Sequence, residues 1–159
     1  MPDNFYPCKG NIKVDCLIER DGSNIVVQEG RTRINFKNPV RKTLYKIRVD
    51  GCVIVNEGIK RCDYLLIYPR NGSFDEHFLE LKGRSAGLSR LMEQLENSIK
   101  SLGCEEFKMR FAYAVFSNRA PSVTTAIQKF KHKFRKELQA YLLIKESKFE
   151  QNLENPLIT

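Results

Sequence analysis

Three charged residues interrupt two apolar segments near the middle of the sequence. Asp63 precedes the run YLLIY, and Glu80 and Lys82 flank Leu81 in the segment HFLELK. Two carboxylates that meet in a partly buried place repel each other unless a cation lies between them. Oxygen ligands without histidine or thiolate select Mg²⁺ or Mn²⁺, and a neighbouring lysine can stabilise charge on a phosphate. The pattern predicts a metal-dependent site for phosphodiester hydrolysis.

The two segments are expected to form an antiparallel hairpin joined by a polar loop. Pairing Tyr68 with His77 would set Asp63 opposite Lys82 and leave Glu80 diagonal to Asp63. Strand alternation then puts the three charged side chains on one face of the sheet. The alternative is that Asp63 and Lys82 form a cross-strand ion pair and that Glu80 is a solvated charge.

The surrounding periodicity indicates the elements that would position these residues. Alternating polar and apolar residues predict strands at 12–18, 25–28, 31–36 and 42–55. From Leu88 to Leu102 apolar residues recur every three or four positions, which predicts an amphipathic helix ended by Gly103. A strand at 107–116, a helix over 123–142 and a short strand YLLI complete the pattern. This order predicts an α/β (α+β) fold, with a central mixed β-sheet flanked by helices.

Length and composition favour a single globular domain of 159 residues. We expect a core at about 40–145, a β-rich N-terminal extension at 1–38 and a loose tail at 150–159. No apolar run approaches the roughly 18 residues of a membrane span, and no secretory pattern is evident, so the cytoplasm is the expected compartment. The five cysteines are irregularly spaced, which favours reduced, buried thiols over a zinc site.

The net charge of +8 favours a polyanionic partner, because lysine and arginine side chains release counterions from phosphates. Solvated basic faces are the alternative interpretation. The sequence has no Gly-x-x-x-x-Gly-Lys loop, so ATP hydrolysis is not supported. The candidate nucleic-acid-binding residues are Arg41, Lys42, Lys46, Arg48, Arg84, Lys129 and Lys133.

Across roughly residues 47–116, the Asp, the Glu-x-Lys and the helix and strand that follow resemble the PD-(D/E)XK nuclease superfamily, whose core is restriction-endonuclease-like. The resemblance implies that Asp63, Glu80 and the backbone carbonyl of Leu81 bind Mg²⁺ or Mn²⁺, with Lys82 as the catalytic lysine. Gln94, followed by a leucine, resembles the active-site glutamine of the RecB-type branch. The implied activity is hydrolysis of nucleic acid, DNA in preference to RNA, and a homodimer is compatible by analogy.

The sequence departs from the superfamily pattern, and the missing upstream glutamate keeps an alternative open. Cys62 stands where the name-giving proline would be. Most members also carry a glutamate on a helix before the hairpin, whereas this segment is expected to form strands. Among the upstream acids Glu19, Glu29 and Glu57, we choose Glu29 as the additional acid. The alternative function is a non-catalytic module that keeps the nuclease fold and binds nucleic acid or protein.

Overall fold

The computed structural model describes residues 5–55, 58, 60–82 and 87–159, with Lys82 described through its backbone alone. Two β-sheets and two α-helices form a mixed α/β fold, which confirms the predicted fold class. Two 3-10 helices, Pro7–Asn11 and Val14–Cys16, precede the first strand. The other elements are β1 Leu17–Arg20, β2 Asn24–Glu29, β3 Thr32–Lys37, β4 Leu44–Arg48, β5 Tyr64–Arg70, β6 Ser73–Lys82, α1 Leu88–Leu102, β7 Met109–Phe116, α2 Thr125–Leu138, β8 Tyr141–Glu146 and β9 Phe149–Asn152.

The main sheet has six strands in the order β1-β4-β5-β6-β7-β8. Pairing is antiparallel from β1 to β6 and parallel from β6 to β8, since α1 and α2 provide the crossovers. The second sheet has the order β2-β3-β9, and β9 runs parallel to β3. No helix within the described ranges is long and apolar enough to cross a lipid bilayer.

Apolar cores cover both faces of the main sheet. On the helix face, α1 and α2 pack over side chains such as Leu65 and Phe78. On the opposite face, the second sheet packs over side chains such as Leu66 and Leu79. Strands covered on both sides read as continuous apolar runs, as the segments around β5 and β6 do.

The β5–β6 hairpin closes through a tight turn, with Arg70 opposite Ser73. Gly72 adopts a φ of 76°, a conformation that glycine reaches without a steric penalty. The turn pairs Tyr68 with Asp75, so the predicted pairing of Tyr68 with His77 is wrong by two residues. Because side chains alternate with a period of two, this even shift leaves every side chain on its predicted face.

Helix α1 begins and ends where the periodicity predicts, and Leu91, Leu95 and Ile99 are buried along one side. Helix α2 is shorter than the predicted range 123–142. It begins after the cap residue Thr124 and ends at Gln139, which has a φ of 53°. The prediction was too long because YLLI pairs with β7 as part of β8.

The predicted loose tail at 150–159 is wrong. Strand β9 pairs with β3, Leu153 is fully buried, and the Gln151 side-chain amide donates to the Tyr113 hydroxyl at 3.0 Å. Polar residues alternate with buried ones here, which hid the strand in the sequence. The predicted strand at 12–18 is also partly wrong, because a 3-10 helix precedes β1.

The prediction of reduced cysteines is wrong for four of them. Disulfides join Cys8 to Cys104 and Cys16 to Cys52, and Cys62 is a buried free thiol. The sequence separations of 96 and 36 residues gave no indication of these pairs. Both bonds fasten the N-terminal segment, one to the loop after α1 and the other to the turn after β4.

Candidate active site

Asp63 and Glu80 lie together at one end of the main sheet. Continuing the β5–β6 register by one residue sets Asp63 opposite Glu80, whereas the sequence prediction had set it opposite Lys82. The Asp63 amide donates to the Leu79 carbonyl at 2.9 Å, and its Oδ2 accepts from the Leu81 amide at 2.7 Å. Asp63 is 5% exposed and Glu80 is fully buried. The hairpin therefore brings the two predicted acids together.

The charges of both acids act on the buried thiol of Cys62. Burial raises the pKa of this thiol, and the Glu80 and Asp63 carboxylates raise it further. Two negative charges thus act at one buried point beneath α1. Because neighbouring carboxylates repel each other, a bound cation would stabilise this arrangement.

Helix α1 contributes two side chains that hold the segment leading to Asp63. The Gln94 Nε2 donates to the Arg61 carbonyl at 3.3 Å, and the Ser98 Oγ accepts from the Cys62 amide at 2.7 Å. Gln94 is 7% exposed, and its buried Oε1 accepts no hydrogen bond from the described part of the chain. A buried acceptor without a donor suits a cation or a bound water.

Ser98 was not among the predicted site residues. It lies one helical turn after Gln94 on the same side of α1, and it is fully buried. That i, i+4 spacing was visible in the sequence. Serine has no preference for one chemical role, so the spacing alone did not identify its function.

Lys82 ends β6, and its backbone pairs with Phe116 of β7. Its side chain lies outside the described part of the structure, as does the whole of Arg84. The roles of these two residues stay predictions. Across the described residues, no group of three histidine, cysteine, aspartate or glutamate side chains could hold a metal ion. The oxygen atoms that the sequence predicts at the metal site, and that the described residues include, are the Asp63 and Glu80 carboxylates, the Leu81 carbonyl and the Gln94 amide oxygen.

Glu29, the predicted additional acid, lies at the end of β2 in the second sheet. Burial raises the pKa of Tyr64, and the nearby Glu29 carboxylate raises it further. Tyr64 packs on the face of the main sheet that the second sheet covers. Glu29 thus approaches this end of the main sheet from the face opposite α1, and the structure does not bring it to Asp63 and Glu80.

Two of the predicted basic residues lie far from Asp63. The Lys42 Nζ is 3.4 Å from the Pro69 carbonyl and 3.5 Å from a Glu154 carboxylate oxygen, at the hairpin end of β5. Six residues of strand separate Pro69 from Asp63, which is about 20 Å. The Arg41 Nε donates to the Asp21 carbonyl at 3.3 Å and belongs to the same region.

Lys46 and Arg48 lie nearer, because β4 pairs Arg48 with Tyr64. The Lys46 Nζ donates to the Val26 carbonyl at 3.2 Å, and the Arg48 Nε donates to the Asp50 carbonyl at 3.3 Å. On α2, Lys129 is exposed, whereas the Lys133 Nζ lies 3.0 Å from a Glu96 carboxylate oxygen.

A different buried glutamate, Glu76, forms a closed ion pair four residues before Glu80. Its Oε1 accepts from the Arg110 Nε at 2.6 Å, and its Oε2 accepts from the Cys104 amide at 2.8 Å. The rest of the guanidinium donates to the Leu138 and Cys104 carbonyls. This pair ties β6 and β7 to the loop after α1 and to the last residue of α2.

On the opposite face of β6, His77 is buried and uncharged. Its Nδ1 lies 2.8 Å from the Tyr113 hydroxyl oxygen, and its ring stacks on Phe111. Burial lowers the pKa of His77 to about 3. This cluster lies between the two sheets and has no described connection to Asp63 and Glu80.

Comparisons with known proteins add nothing to the evidence from these side chains. No protein-family model, curated protein or solved structure shows a significant match to this chain.

Proposed function

We propose that the protein is a metal-dependent nuclease that hydrolyses phosphodiester bonds, with DNA as a better substrate than RNA. The observation that carries the proposal is the burial of Asp63 and Glu80 side by side beneath α1. The net charge of +8 supports a nucleic-acid partner. A restriction-endonuclease-like core is part of the proposal. The order β4, β5, β6, α1 and β7 supports it, with antiparallel pairing up to β6 and parallel pairing after α1.

The oxygen donors at this point suit Mg²⁺ or Mn²⁺. Asp63, Glu80 and the carbonyl of Leu81 would hold the ion, and the Gln94 Oε1 would accept from a water bound there. When bound, the ion would supply Lewis-acid activation of a phosphate and of a water. Lys82 would place a positive charge beside the scissile phosphate, where negative charge develops.

The test is incubation of the purified protein with plasmid, linear duplex and single-stranded DNA and with RNA, in Mg²⁺, in Mn²⁺ and without metal. We expect cutting that requires the metal and falls at least about 100-fold in Asp63→Asn, Glu80→Gln and Lys82→Ala, about 2.7 kcal/mol in activation free energy. Glu105→Gln, which changes an exposed acid, is the matched control and should cut normally. Undiminished cutting by Asp63→Asn and Glu80→Gln would contradict the proposed site.

The non-catalytic alternative gives a different result in the same assays. It predicts salt-sensitive binding of DNA without cutting in either metal. Titration calorimetry with Mn²⁺ offers a readout that does not depend on cutting. The proposed site requires Mn²⁺ binding by the unmodified protein that is lost in the Asp63→Asn/Glu80→Gln double variant.

The cytoplasm is the proposed compartment, because the protein would meet intracellular nucleic acid there. A reducing cytosol would open the bonds Cys8–Cys104 and Cys16–Cys52. The N-terminal segment would then depend on contacts such as that between Tyr6 and Phe74, whose ring centroids are 5.2 Å apart. In that compartment, thiol alkylation of freshly lysed cells should modify all five cysteines, including the four that the structure joins in disulfides. Protection of four of them would place the protein in an oxidising compartment instead.

A further inference from the structure

A basic surface lies where α2 packs beside β8, the outer strand of the main sheet. We call it the α2–β8 surface and define it by Lys131, Arg135, Tyr141, Lys145 and Phe149. The chain reverses between the end of α2 and the start of β8 within two residues. This reversal sets Arg135 of the helix beside Tyr141 of β8, and Lys145 of β8 lies beside Phe149, the first residue of β9.

Two cations of the surface sit over aromatic rings. The Arg135 Cζ is 4.2 Å from the centroid of the Tyr141 ring, and the Lys145 Nζ is 4.9 Å from that of Phe149. Such cation–π contacts hold a positive group in place without neutralising it. Both cations are therefore positioned while their charge stays available to an anion.

A third cation adds unbalanced charge to the α2–β8 surface. Burial lowers the pKa of Lys145, and the like charge of Lys131 lowers it further. Within the described part of the chain, no ion pair involves Lys131, Arg135 or Lys145. By contrast, Lys133 on the same helix pairs with Glu96. Cations held close together and outside ion pairs favour a bound polyanion.

Along the sheet the α2–β8 surface lies two strands from the candidate active site, but Lys145 is on the face that the second sheet covers, whereas Glu80 is on the face beneath α1. Glu80 pairs with Ala114, which pairs with Ile144, the residue before Lys145. Two strand spacings correspond to about 10 Å. That distance is about three steps of 3.4 Å along one strand of a DNA duplex. One nucleic-acid molecule that passes around the outer strand β8 would therefore be long enough to contact both places.

We propose that the α2–β8 surface binds the sugar-phosphate backbone of a nucleic acid outside the active site. The inference rests on the proposed nucleic-acid partner, but it does not require hydrolysis. It also assigns binding to residues other than those predicted on α2, because Lys133 is engaged by Glu96. Ordered cations backed by aromatic rings are a common means of following a phosphate backbone without reading its sequence.

The test measures binding of a short fluorescein-labelled DNA duplex by fluorescence anisotropy, without divalent metal, over a series of NaCl concentrations. Each phosphate contact adds about 0.9 to the slope of log K against log salt concentration. The Arg135→Gln/Lys145→Gln variant should therefore lose about 1.8 from that slope. The matched control is Lys13→Gln/Lys108→Gln, which removes two exposed lysines elsewhere and should keep the slope.

A charge-preserving variant, Arg135→Lys/Lys145→Arg, separates lost charge from damaged folding and should bind with the unmodified slope. An unchanged slope in Arg135→Gln/Lys145→Gln would overturn the inference. An equal loss in the control would also overturn it, because the effect would then reflect net charge. Surface-dependent binding to phosphatidylserine vesicles without binding to DNA would identify a lipid partner and overturn it as well.

The outcomes also separate this inference from the proposed function. DNA binding that depends on the α2–β8 surface, without metal-dependent cutting, would support the proposed binding surface. It would contradict the proposed nuclease activity. If cutting requires Glu80 and the salt-dependence slope of Arg135→Gln/Lys145→Gln is normal, the nuclease activity is supported. The proposed binding role of the α2–β8 surface is then contradicted. Failure of the unmodified protein to bind any nucleic acid would contradict both.

Discussion

Glu76 and Glu80 lie four residues apart on the same face of β6, and both are fully buried. One described neighbour of each differs in charge. Glu76 contacts the guanidinium of Arg110, whereas Glu80 lies across the hairpin from a second carboxylate, Asp63. Burial of a glutamate therefore does not by itself indicate function. The residue that faces each glutamate across the strands distinguishes the two positions: a guanidinium for Glu76 and a carboxylate for Glu80.

The contacts of Arg110 show why the Glu76 end of the strand is structural. Its side chain donates to Glu76 and to the carbonyls of Cys104 and Leu138, and it is 6% exposed. Gly103 packs so closely against this guanidinium that a Cβ would lie 2.6 Å from it. Such a closed network has no room for a ligand. We expect substitutions at the Glu76 end to change stability and those at the Glu80 end to change catalysis.

The largest expected effect is on stability, in Arg110→Met. This change leaves Glu76 buried without its cation, which costs about 3–5 kcal/mol when one partner of a buried pair is removed. Urea unfolding measures the loss. Glu80→Gln should lose less, because glutamine keeps the side-chain shape and removes one of two neighbouring negative charges. A loss in Glu80→Gln equal to that in Arg110→Met would contradict the distinction between the two glutamates.

The next prediction concerns stability at acid pH, where His77 and its neighbour Glu76 should act in opposite directions. The pKa of His77 is lowered to about 3, so between pH 6.5 and 3 the unfolded chain binds a proton that the folded protein does not. Stability should therefore fall as pH falls, by about 2 kcal/mol from pH 6.5 to pH 5.

Glu76 should act in the opposite direction. Burial raises its pKa against the opposing effect of Arg110, so protonation of this carboxyl favours the folded state. Urea unfolding of His77→Gln at both pH values tests the assignment, and we expect the acid sensitivity to shrink in this variant. Full acid sensitivity in His77→Gln would assign the effect to another group.

The smallest expected effect on stability is that of Ser98→Ala. The variant removes the acceptor of the Cys62 amide and should cost about 1 kcal/mol. Because Asp63 is the next residue, we expect kcat for DNA cutting to fall roughly tenfold while KM changes little, about 1.4 kcal/mol. Ser101→Ala, at an exposed position of α1, is the control. A stability loss without any change in kcat would make Ser98 purely structural.

The sequence predicted the arrangement of β5 and β6 better than their register. Alternation assigned Asp63 and Glu80 to one face, and the structure brings them together. The pairing was wrong because the sequence did not show how tightly the turn at Gly72 closes. Turn length depends on how the flanking strands pack, whereas the period of two is local to each strand.

Long-range pairings were the part that the sequence could not indicate. The disulfides and the parallel pairing of β9 with β3 join distant segments, and single-chain periodicity carries no information about such partners. The bounds of helix α1 were predicted correctly because the signal is local: a regular apolar repeat ended by Gly103. The ion pair of Glu76 with Arg110 was also missed, because its two residues are far apart in the sequence.

Strand β9 has a consequence for how the chain is made. It completes the second sheet by joining β3, although more than a hundred positions separate the two in sequence. During synthesis, β2 and β3 therefore emerge long before their last partner, and Phe36 has no complete cover until the final strand leaves the ribosome. Completion of this side of the protein is consequently a late event in its folding, governed by a contact of high sequence separation.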